Sequence, residues 1–332
     1  FMLYVYILNP DGSTSKASET AVLRSAISTP GTKFWIDMEK PNDEEISLLD
    51  DVFGFHPLAI EDTITYSQRP KIESYNHFGD ICKHGYFYMV FHGPDQETFK
   101  DQLRTREVDI FVSENYLVSV HEEPMISITA LRSRAHNDPR IALESGVDML
   151  LHNILDHMID NYRPILDFLE VELDRLEEES LNSANPQILT EIAQRKRELL
   201  NFRRIIGPQR DVLAQLTRGE VPFIRESTRI YMRDVLDHLN RTVEMVELYR
   251  DLVTGARDIY LSSMSNNLNQ IMKTLTTLSV IALPLTVITS FFGMNFEHIP
   301  GLHTPRGFWT AVGTMFLIVG TMVWIFKRKK WI

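Results

Sequence analysis

The sequence predicts an α+β soluble domain followed by a long helical stalk and two transmembrane helices. Three observations support this fold class. Short runs of β-branched and aromatic residues alternate with turn residues over the first 140 positions. From about residue 141 the apolar residues keep the three-four spacing of long helices. The last sixty residues contain two long uncharged runs.

Residues 1–140 are predicted to form the α/β domain. Its candidate strands are rich in Val, Ile, Phe and Tyr and are bounded by turn residues. These strands are 3–8, 33–36, 86–91, 108–112 and 116–120. Segment 42–53 has helical spacing with an acidic first turn, and 57–63 is predicted to be a second short helix.

Residues 141–226 are predicted to form a helical hairpin. Three-four apolar spacing runs from Leu151 to Leu176, turn residues occupy 182–186, and a second helix extends from Gln187 towards Leu216. Acidic residues crowd the tip of this hairpin, where a solvated face is favoured over ion binding.

Residues 227–296 are predicted to be one stalk helix that continues into the membrane, with the membrane part at about 272–294. Roughly 65 residues at about 1.5 Å each extend near 100 Å. A helix this long needs lateral partners, because propensity alone does not hold it in place. The coiled-coil spacing of its apolar residues therefore predicts self-association along a seam. The seam consists of Val235, Leu239, Val243, Val246, Tyr249, Val253, Ala256 and Tyr260.

Two uncharged runs, 274–296 and 307–326, are each long enough to cross a hydrocarbon core of about 30 Å. The periplasmic loop 297–306 between them is too short to hold a domain, so both chain ends are expected on one side. The tail 327–332 carries four consecutive basic residues, and such clusters stay in the cytoplasm. We therefore expect a multi-pass protein of the inner (cytoplasmic) membrane, surrounded by lipid bilayer, with cytoplasmic N- and C-termini.

Charge is distributed unevenly along the chain. Residues 271–332 contain six basic residues and one acidic residue, so the net charge of −11 leaves −16 for residues 1–270. An acidic body of this kind repels nucleic acid and concentrates cations around itself. We expect no nucleic-acid partner. We also expect no enzyme, since no Gly-rich phosphate loop, nucleophile elbow or zinc-protease helix is found.

The first membrane run carries a polar stripe with strict three-four spacing. Small and polar residues in a membrane helix face protein or water rather than lipid. Periodicity alone leaves helix packing and pore lining equally open. If the stripe lines a pore, Met272, Leu275 and Leu283 would form apolar rings that gate by dewetting. The stripe consists of Asn269, Met272, Thr276, Ser279, Leu283, Thr286, Ser290 and Gly293.

The tripeptide Gly293-Met294-Asn295 ends this stripe, and with other segments it carries a family resemblance. The further segments are Tyr260-Leu261-Ser262-Ser263, Pro284-Leu285-Thr286, Phe53-Gly54, His56-Pro57-Leu58, Glu61-Asp62, Gln68-Arg69-Pro70-Lys71 and Arg233-Asp234-Val235. In order and content they resemble the CorA family of magnesium channels. The resemblance covers nearly the whole chain.

The resemblance implies a homopentameric funnel. Five first spans would surround a pore, with the second spans outside them and the soluble domains in the cytoplasm. Gly293, Met294 and Asn295 would form the selectivity filter, with a ring of Asn295 amide oxygens at the mouth. Because Mg²⁺ gives up water reluctantly, neutral oxygens can hold its hydration shell without removing it.

The resemblance also implies regulatory Mg²⁺ between neighbouring subunits. Asp62 and Asp258 match the residues of one such site, and Glu61, Asp156 and Asp234 match a second, weaker site. Carboxylates of adjacent subunits repel each other when no ion is bound, so Mg²⁺ between them would favour a closed state. Without the resemblance these residues are five among 45 acidic ones.

Two alternatives remain open from the sequence. One is a Zn²⁺, Co²⁺ or Ni²⁺ transporter of the same family, because the loop 301–307 differs from the version common in magnesium members, although Phe296-Glu297 favours Mg²⁺. The other is a membrane-tethered scaffold whose spans serve only as an anchor. The polar stripe argues against an anchor, which needs no row of hydroxyl groups.

Overall fold

A computed structural model of the chain forms two compact units. One unit is Phe1–Glu177 with Thr190–Gly255, and the other is Glu178–Leu189 with Ala256–Ile332. The structure describes residues 2–17, 23, 29–66, 68–75, 85–99, 103–182, 185–295, 305–329 and 331. The predicted loop 297–306 therefore lies outside the described residues except for 305 and 306, and Lys330 and Ile332 of the tail also lie outside them.

The first unit contains a seven-stranded sheet in the order β2-β1-β3-β7-β6-β5-β4. Neighbouring strands are antiparallel except β3 and β7, which are parallel. The strands are β1 (Met2–Leu8), β2 (Thr14–Ala17), β3 (Lys33–Glu39), β4 (Lys71–Tyr75), β5 (Tyr86–Pro94), β6 (Thr105–Val112) and β7 (Tyr116–His121). All five predicted strands are confirmed. The two that were missed, β2 and β4, are the short edge strands, whose exposed positions weaken the apolar signal.

Helices α1 (Asp43–Asp51) and α2 (Pro57–Thr65) pack on an aromatic core beside this sheet. At the centre, the rings of Phe55 and Phe111 stack with centroids 4.2 Å apart. A capping box starts α1, since the Asn42 side chain accepts the Glu45 N–H and the Glu45 side chain accepts the Asn42 N–H. Pro57 stands in the first turn of α2, where its missing N–H costs nothing. Together these residues fix α2, which carries Glu61 and Asp62.

The helical region continues with α3 (Ile126–Asn137), α4 (Arg140–Leu143), α5 (Val147–Asp160), α6 (Arg163–Asn182) and α7 (Pro186–Arg218). The prediction of unbroken helix from Leu151 to Leu176 is wrong, because α5 ends at Asp160 and α6 begins at Arg163. Pro164 explains the break. It has no N–H to donate to the Asp160 carbonyl, and its ring would clash with that carbonyl in a continuous helix.

The next helix, α8 (Glu226–Phe292), is 67 residues long. Its predicted self-association seam requires correction: Val235, Leu239, Val243, Val246, Tyr249 and Val253 are buried inside the first unit. Arg203 of α7 lies 2.8 Å from Glu247 of α8, and Asp160 of α5 lies 3.7 Å from His238. This seam of α8 therefore has its lateral partners within its own chain. In the second unit, Ala256 and Tyr260 are also buried.

Candidate functional site

The second unit contains two helices that are long and apolar enough to cross a membrane. They are the C-terminal part of α8 and α9 (Pro305–Arg328). Only 6% of the most apolar window of α8 is buried, and none of that of α9. A core helix of a soluble protein would bury most of this surface. The low burial therefore favours a lipid or protein environment that a single chain does not supply.

Each of the two helices has one partly covered face. On α8 the covered positions are Thr277, Ile281, Pro284, Leu285, Ile288 and Phe292. On α9 they include Gly307, Ala311, Met315, Ile318, Met322 and Phe326. Both sets recur at helical spacing, as expected if α8 and α9 pack together within the second unit.

The polar stripe lies on the other side of α8. Its eight residues, from Asn269 to Gly293, are all exposed, and so is Leu275. At about 100° per residue, the middle of the stripe is rotated about 180° from the middle of the covered face. The covered face therefore does not include the stripe, although Trp331, just beyond α9, lines a cavity with Asn269, Met272 and Thr276. The roles open to the stripe are contact with another chain and contact with water.

Some hydroxyl groups on this helix, including that of Thr286 in the stripe, donate to carbonyl groups of the preceding turn. Thr286 Oγ1 donates to the Leu283 carbonyl at 2.8 Å, and Thr274 Oγ1 donates to the Gln270 carbonyl at 3.0 Å. Each oxygen then keeps lone pairs that can accept a hydrogen bond from outside the helix. The water molecules around a cation point their hydrogen atoms outward, so such oxygens suit a hydrated cation.

Gly293-Met294-Asn295 lies just beyond the last turn of α8. The Gly293 N–H donates to the Thr289 carbonyl at 2.9 Å, and the Met294 N–H donates to the Phe291 carbonyl at 3.4 Å. A Cβ atom at position 293 would lie only 3.1 Å from the Thr289 carbonyl oxygen, so a larger residue would require a shift of a few tenths of an ångström here. Asn295 is exposed at the end of the described segment.

Asp62 of α2 lies in a cluster of charged groups on the first unit. Lys71 Nζ is 2.5 Å from Asp62 Oδ2 and 3.1 Å from Glu73 Oε1. Burial lowers the pKa of Lys71, but its hydrogen bonds to Asp62 and Glu73 outweigh burial and hold that pKa above its ordinary value. Asp62 therefore already has a cationic partner within its own chain.

A buried carboxyl group lies near this cluster. Asp109 Oδ1 accepts a hydrogen bond from the Tyr88 hydroxyl at 2.5 Å. Burial raises the pKa of Asp109 to about 8, and the charges of Glu107 and Asp62 act in the same direction. The raised pKa favours the uncharged form of the Asp109 carboxyl group.

The structure groups the residues of the second predicted site differently from the sequence. Asp156 and Asp160 of α5 and His238 of α8 each offer a ligand atom, and these atoms lie within 4.8 Å of one another. Asp234 Oδ2 is 3.8 Å from His238 Nε2. Glu61 is exposed on α2, beside an apolar groove between α1 and α2. Asp258 is exposed on the part of α8 that belongs to the second unit.

Asp160 and His238 were missed as candidate ligands. The available signal was the i,i+4 spacing of Asp156 with Asp160 and of Asp234 with His238, which places each pair on one helix face. Burial raises the pKa of Asp156, and the charge of Asp160 adds to this effect. Two adjacent carboxylates that repel each other in this way are stabilised by a bound cation.

Comparison with known proteins decides the family. The profile of the CorA-like Mg²⁺ transporter proteins matches residues 32–328. The chain belongs to the CorA family. Members of the CorA family are membrane transporters and not enzymes, so the prediction that the chain is no enzyme is confirmed.

Individual CorA-family relatives cover most of the chain. The cobalt/magnesium transport protein CorA of Thermotoga maritima is 34% identical over 84% of this chain and 78% of its own length. The zinc transport protein ZntB of Pectobacterium carotovorum is 27% identical over 68% of each chain. The structure of the complete CorA magnesium transporter of Methanocaldococcus jannaschii matches with a TM-score of 0.84 and 27% identity, covering 100% of this chain and 99% of that one. The predicted fold class, a soluble α/β part with a long helix and two membrane helices, is thereby confirmed.

Proposed function

We propose that this chain forms a homopentameric channel that takes up Mg²⁺ across the cytoplasmic membrane. Five copies of α8 would surround the pore, with the stripe residues facing water, the α9 helices outside them, and both chain ends in the cytoplasm. Thermotoga maritima CorA, named a cobalt/magnesium transport protein, supports this choice of ion among divalent cations.

The exposed polar stripe is the observation that carries this proposal. An exposed row of amide, hydroxyl and small residues on an otherwise apolar membrane helix is unfavourable against lipid. Because the opposite face of α8 is the one partly covered within the second unit, the stripe is free to line a shared pore. Met272 and Leu283 interrupt the stripe with apolar side chains, which suit a hydrophobic constriction.

The chemistry of Gly293-Met294-Asn295 fits the entrance of such a pore. Asn295 offers a neutral amide oxygen, which holds the hydration shell of Mg²⁺ through hydrogen bonds and releases the ion more readily than a carboxylate would. Gly293 gives the turn the room that it requires beside the Thr289 carbonyl. A ring of five such amides would select for charge and hydrated size together.

Replacing Asn295 with Ala tests this proposal. We expect Mg²⁺ flux into liposomes to fall at least about tenfold, because hydrogen bonds to the hydrated ion are lost at the entrance. The matched control is Asn137→Ala, which removes an exposed amide at the end of α3. If Asn295→Ala and Asn137→Ala both transport like wild type, position 295 is not the filter. If the wild-type protein transports no divalent cation, the chain is not a channel.

Closure by cytoplasmic Mg²⁺ is the proposed regulation. Asp62 and Asp258 would hold one ion between neighbouring subunits, and Glu61, Asp156 and Asp234 would contribute to a second ion. The donors fit the ion, since carboxylate oxygens are the hard ligands that Mg²⁺ prefers, and Asp258 and Glu61 are exposed and accessible to another chain. Loss of these ions would free the stalks to move, and the apolar rings would widen.

A Zn²⁺, Co²⁺ or Ni²⁺ transporter is the second candidate. The observation in its favour is His238, because an imidazole beside two carboxylates suits these ions better than Mg²⁺. ZntB, named a zinc transport protein, is among the relatives. Flux of each ion into liposomes at one membrane potential, with and without a pH gradient, separates the two candidates, since the Mg²⁺ channel would carry Mg²⁺ without a pH gradient.

A further inference from the structure

Lys71 contacts the proposed sensor residue Asp62 inside the same chain. Its Nζ lies 2.5 Å from Asp62 Oδ2, and the two side chains are 29% and 25% exposed. Solvent screens this pair less than it screens a fully exposed one. An ammonium group at this distance occupies a carboxylate oxygen that a divalent cation would need.

The fold holds Lys71 in place. Lys71 begins β4 and pairs with Val90 of β5. Just before it, the Gln68 N–H donates to Glu107 Oε2 at 2.8 Å, and His92 Nε2 lies 2.9 Å from the Gln68 carbonyl oxygen. The Lys71 ammonium also lies 5.4 Å from the centre of the Tyr88 ring. Lys71 is therefore anchored at both its backbone and its side chain, unlike a typical surface lysine.

We propose that the Lys71 ammonium competes with Mg²⁺ for the Asp62 carboxylate and so sets the Mg²⁺ concentration at which the channel closes. This inference rests on the proposed function, in which Asp62 is a ligand of the regulatory ion. When Mg²⁺ is scarce, Lys71 neutralises Asp62 and weakens its attraction for cations. When Mg²⁺ binds, Lys71 keeps a partner in Glu73, whose Oε1 is already 3.1 Å away.

The competition predicts a tighter regulatory site when the ammonium is removed. Mg²⁺ is titrated into the full-length protein in detergent, and the Mg²⁺ concentration for half-maximal protection from trypsin is measured. We expect Lys71→Met to lower this midpoint about three- to tenfold, the effect of losing one partly screened charge. Lys71→Arg, which keeps the charge, should stay close to wild type.

The control is Lys16→Met, which removes an exposed lysine of β2 and also one trypsin site. Its midpoint should not change. In an Asp62→Asn background, Lys71→Met should no longer lower the midpoint, because the shared carboxylate is gone. Lys71→Gln repeats the measurement with a polar side chain, in case the methionine variant folds poorly.

The outcomes separate the two proposals. If Asp62→Asn raises the midpoint but neither Lys71→Met nor Lys71→Gln lowers it, the competition is wrong and the sensor residue stands. If Lys71→Met lowers the midpoint equally with and without Asp62, the effect is general charge repulsion and the inference is also wrong. If Asp62→Asn leaves the midpoint unchanged, the proposed role of Asp62 fails.

Discussion

At the scale of single residues, the first unit contains a buried ion network that the proposed function does not use. Asp37 and His121 have fully buried side chains, and His121 Nε2 lies 3.1 Å from Asp37 Oδ1. Ser119 donates to the same Asp37 oxygen at 2.7 Å, and Arg132 contacts the other oxygen at 3.0 Å. These bonds join β3, β7 and α3, so the network stabilises the sheet that positions the rest of the unit.

The two titrating partners have opposite pKa shifts. Burial lowers the pKa of His121, but the charge and hydrogen bond of Asp37 outweigh burial and raise it above its ordinary 6.5. Burial raises the pKa of Asp37, but His121, Ser119 and Arg132 outweigh burial and lower it below its ordinary 3.8. The pair therefore makes its full contribution to the free energy of unfolding between pH 3.8 and pH 6.5, the two ordinary pKa values. Its contribution is lost as pH rises through the raised pKa of His121 or falls through the lowered pKa of Asp37.

We expect His121→Gln to lower the free energy of unfolding by an amount that depends on pH. At pH 5.5 the variant should lose about 2 kcal/mol of unfolding free energy, typical of a hydrogen bond to a charged group. At pH 9 the difference from wild type should be smaller, because wild-type His121 loses charge as pH rises through its raised pKa. Thermal unfolding followed by tryptophan fluorescence measures both values, with the exposed His136→Gln as control. A difference that grows between pH 5.5 and pH 9 would contradict the assigned charge state.

At the scale of elements, the membrane part of α8 has one partly covered face and one exposed face. The polar stripe and the partly covered face are on opposite sides, and every residue of the stripe is exposed. Cysteine accessibility tests this division. In a Cys82→Ser background, cysteines at Thr276, Ser279 and Thr286 should react with a charged thiol reagent, and a cysteine at Ile288 should not. Equal reactivity at Ser279 and Ile288 would contradict a water-filled pore along the stripe.

Periodicity predicted which elements exist better than it predicted their partners. The apolar spacing of α8 located a real seam, but spacing alone cannot say whether the partner is another chain or the same chain. The structure buries Val235, Leu239 and Val243 within the chain. Conversely, Pro164 could have predicted the helix break from the sequence, because proline interrupts a helix. The apolar spacing on both sides of Pro164 predicted a continuous helix instead. The edge strand β4, which carries Lys71, gave too little pattern to be predicted.

The residues of the candidate site also fall into those that local sequence predicts and those that it does not. The order of motifs along the chain predicted the family and the stripe, because both depend on local sequence. The contact of Lys71 with Asp62, nine residues earlier, has no spacing that predicts it. Its contact with Glu73 has one, because residues two apart on a strand share a face, but β4 itself was not predicted. The cluster of Asp156, Asp160 and His238 joins two helices, so it depends on tertiary packing that no local pattern records.

At the scale of the whole molecule, the distribution of charge supports the proposed function. Residues 1–270 carry a net charge of −16, and 271–332 carry +5. If the soluble part faces the cytoplasm as proposed, its acidic surface would raise the local concentration of Mg²⁺ around the proposed sensor carboxylates. In the proposed pentamer, the same charge would make neighbouring subunits repel one another until cations bind between them. Assembly and Mg²⁺ sensing would therefore both depend on repulsion between acidic subunits and its relief by bound cations.

The measurement that tests this account most directly is Mg²⁺ uptake by liposomes whose cytoplasmic-side Mg²⁺ concentration is varied. We expect uptake to fall steeply as that concentration rises. Asp258→Ala should retain uptake at Mg²⁺ concentrations that close the wild type, with unchanged ion selectivity, because only the regulatory ion loses a ligand. Asp251→Ala, an exposed carboxylate on the same helix, should close like wild type. Uptake that is independent of cytoplasmic-side Mg²⁺, or a wild type that carries Zn²⁺ and not Mg²⁺, would contradict a Mg²⁺ channel closed by its own ion.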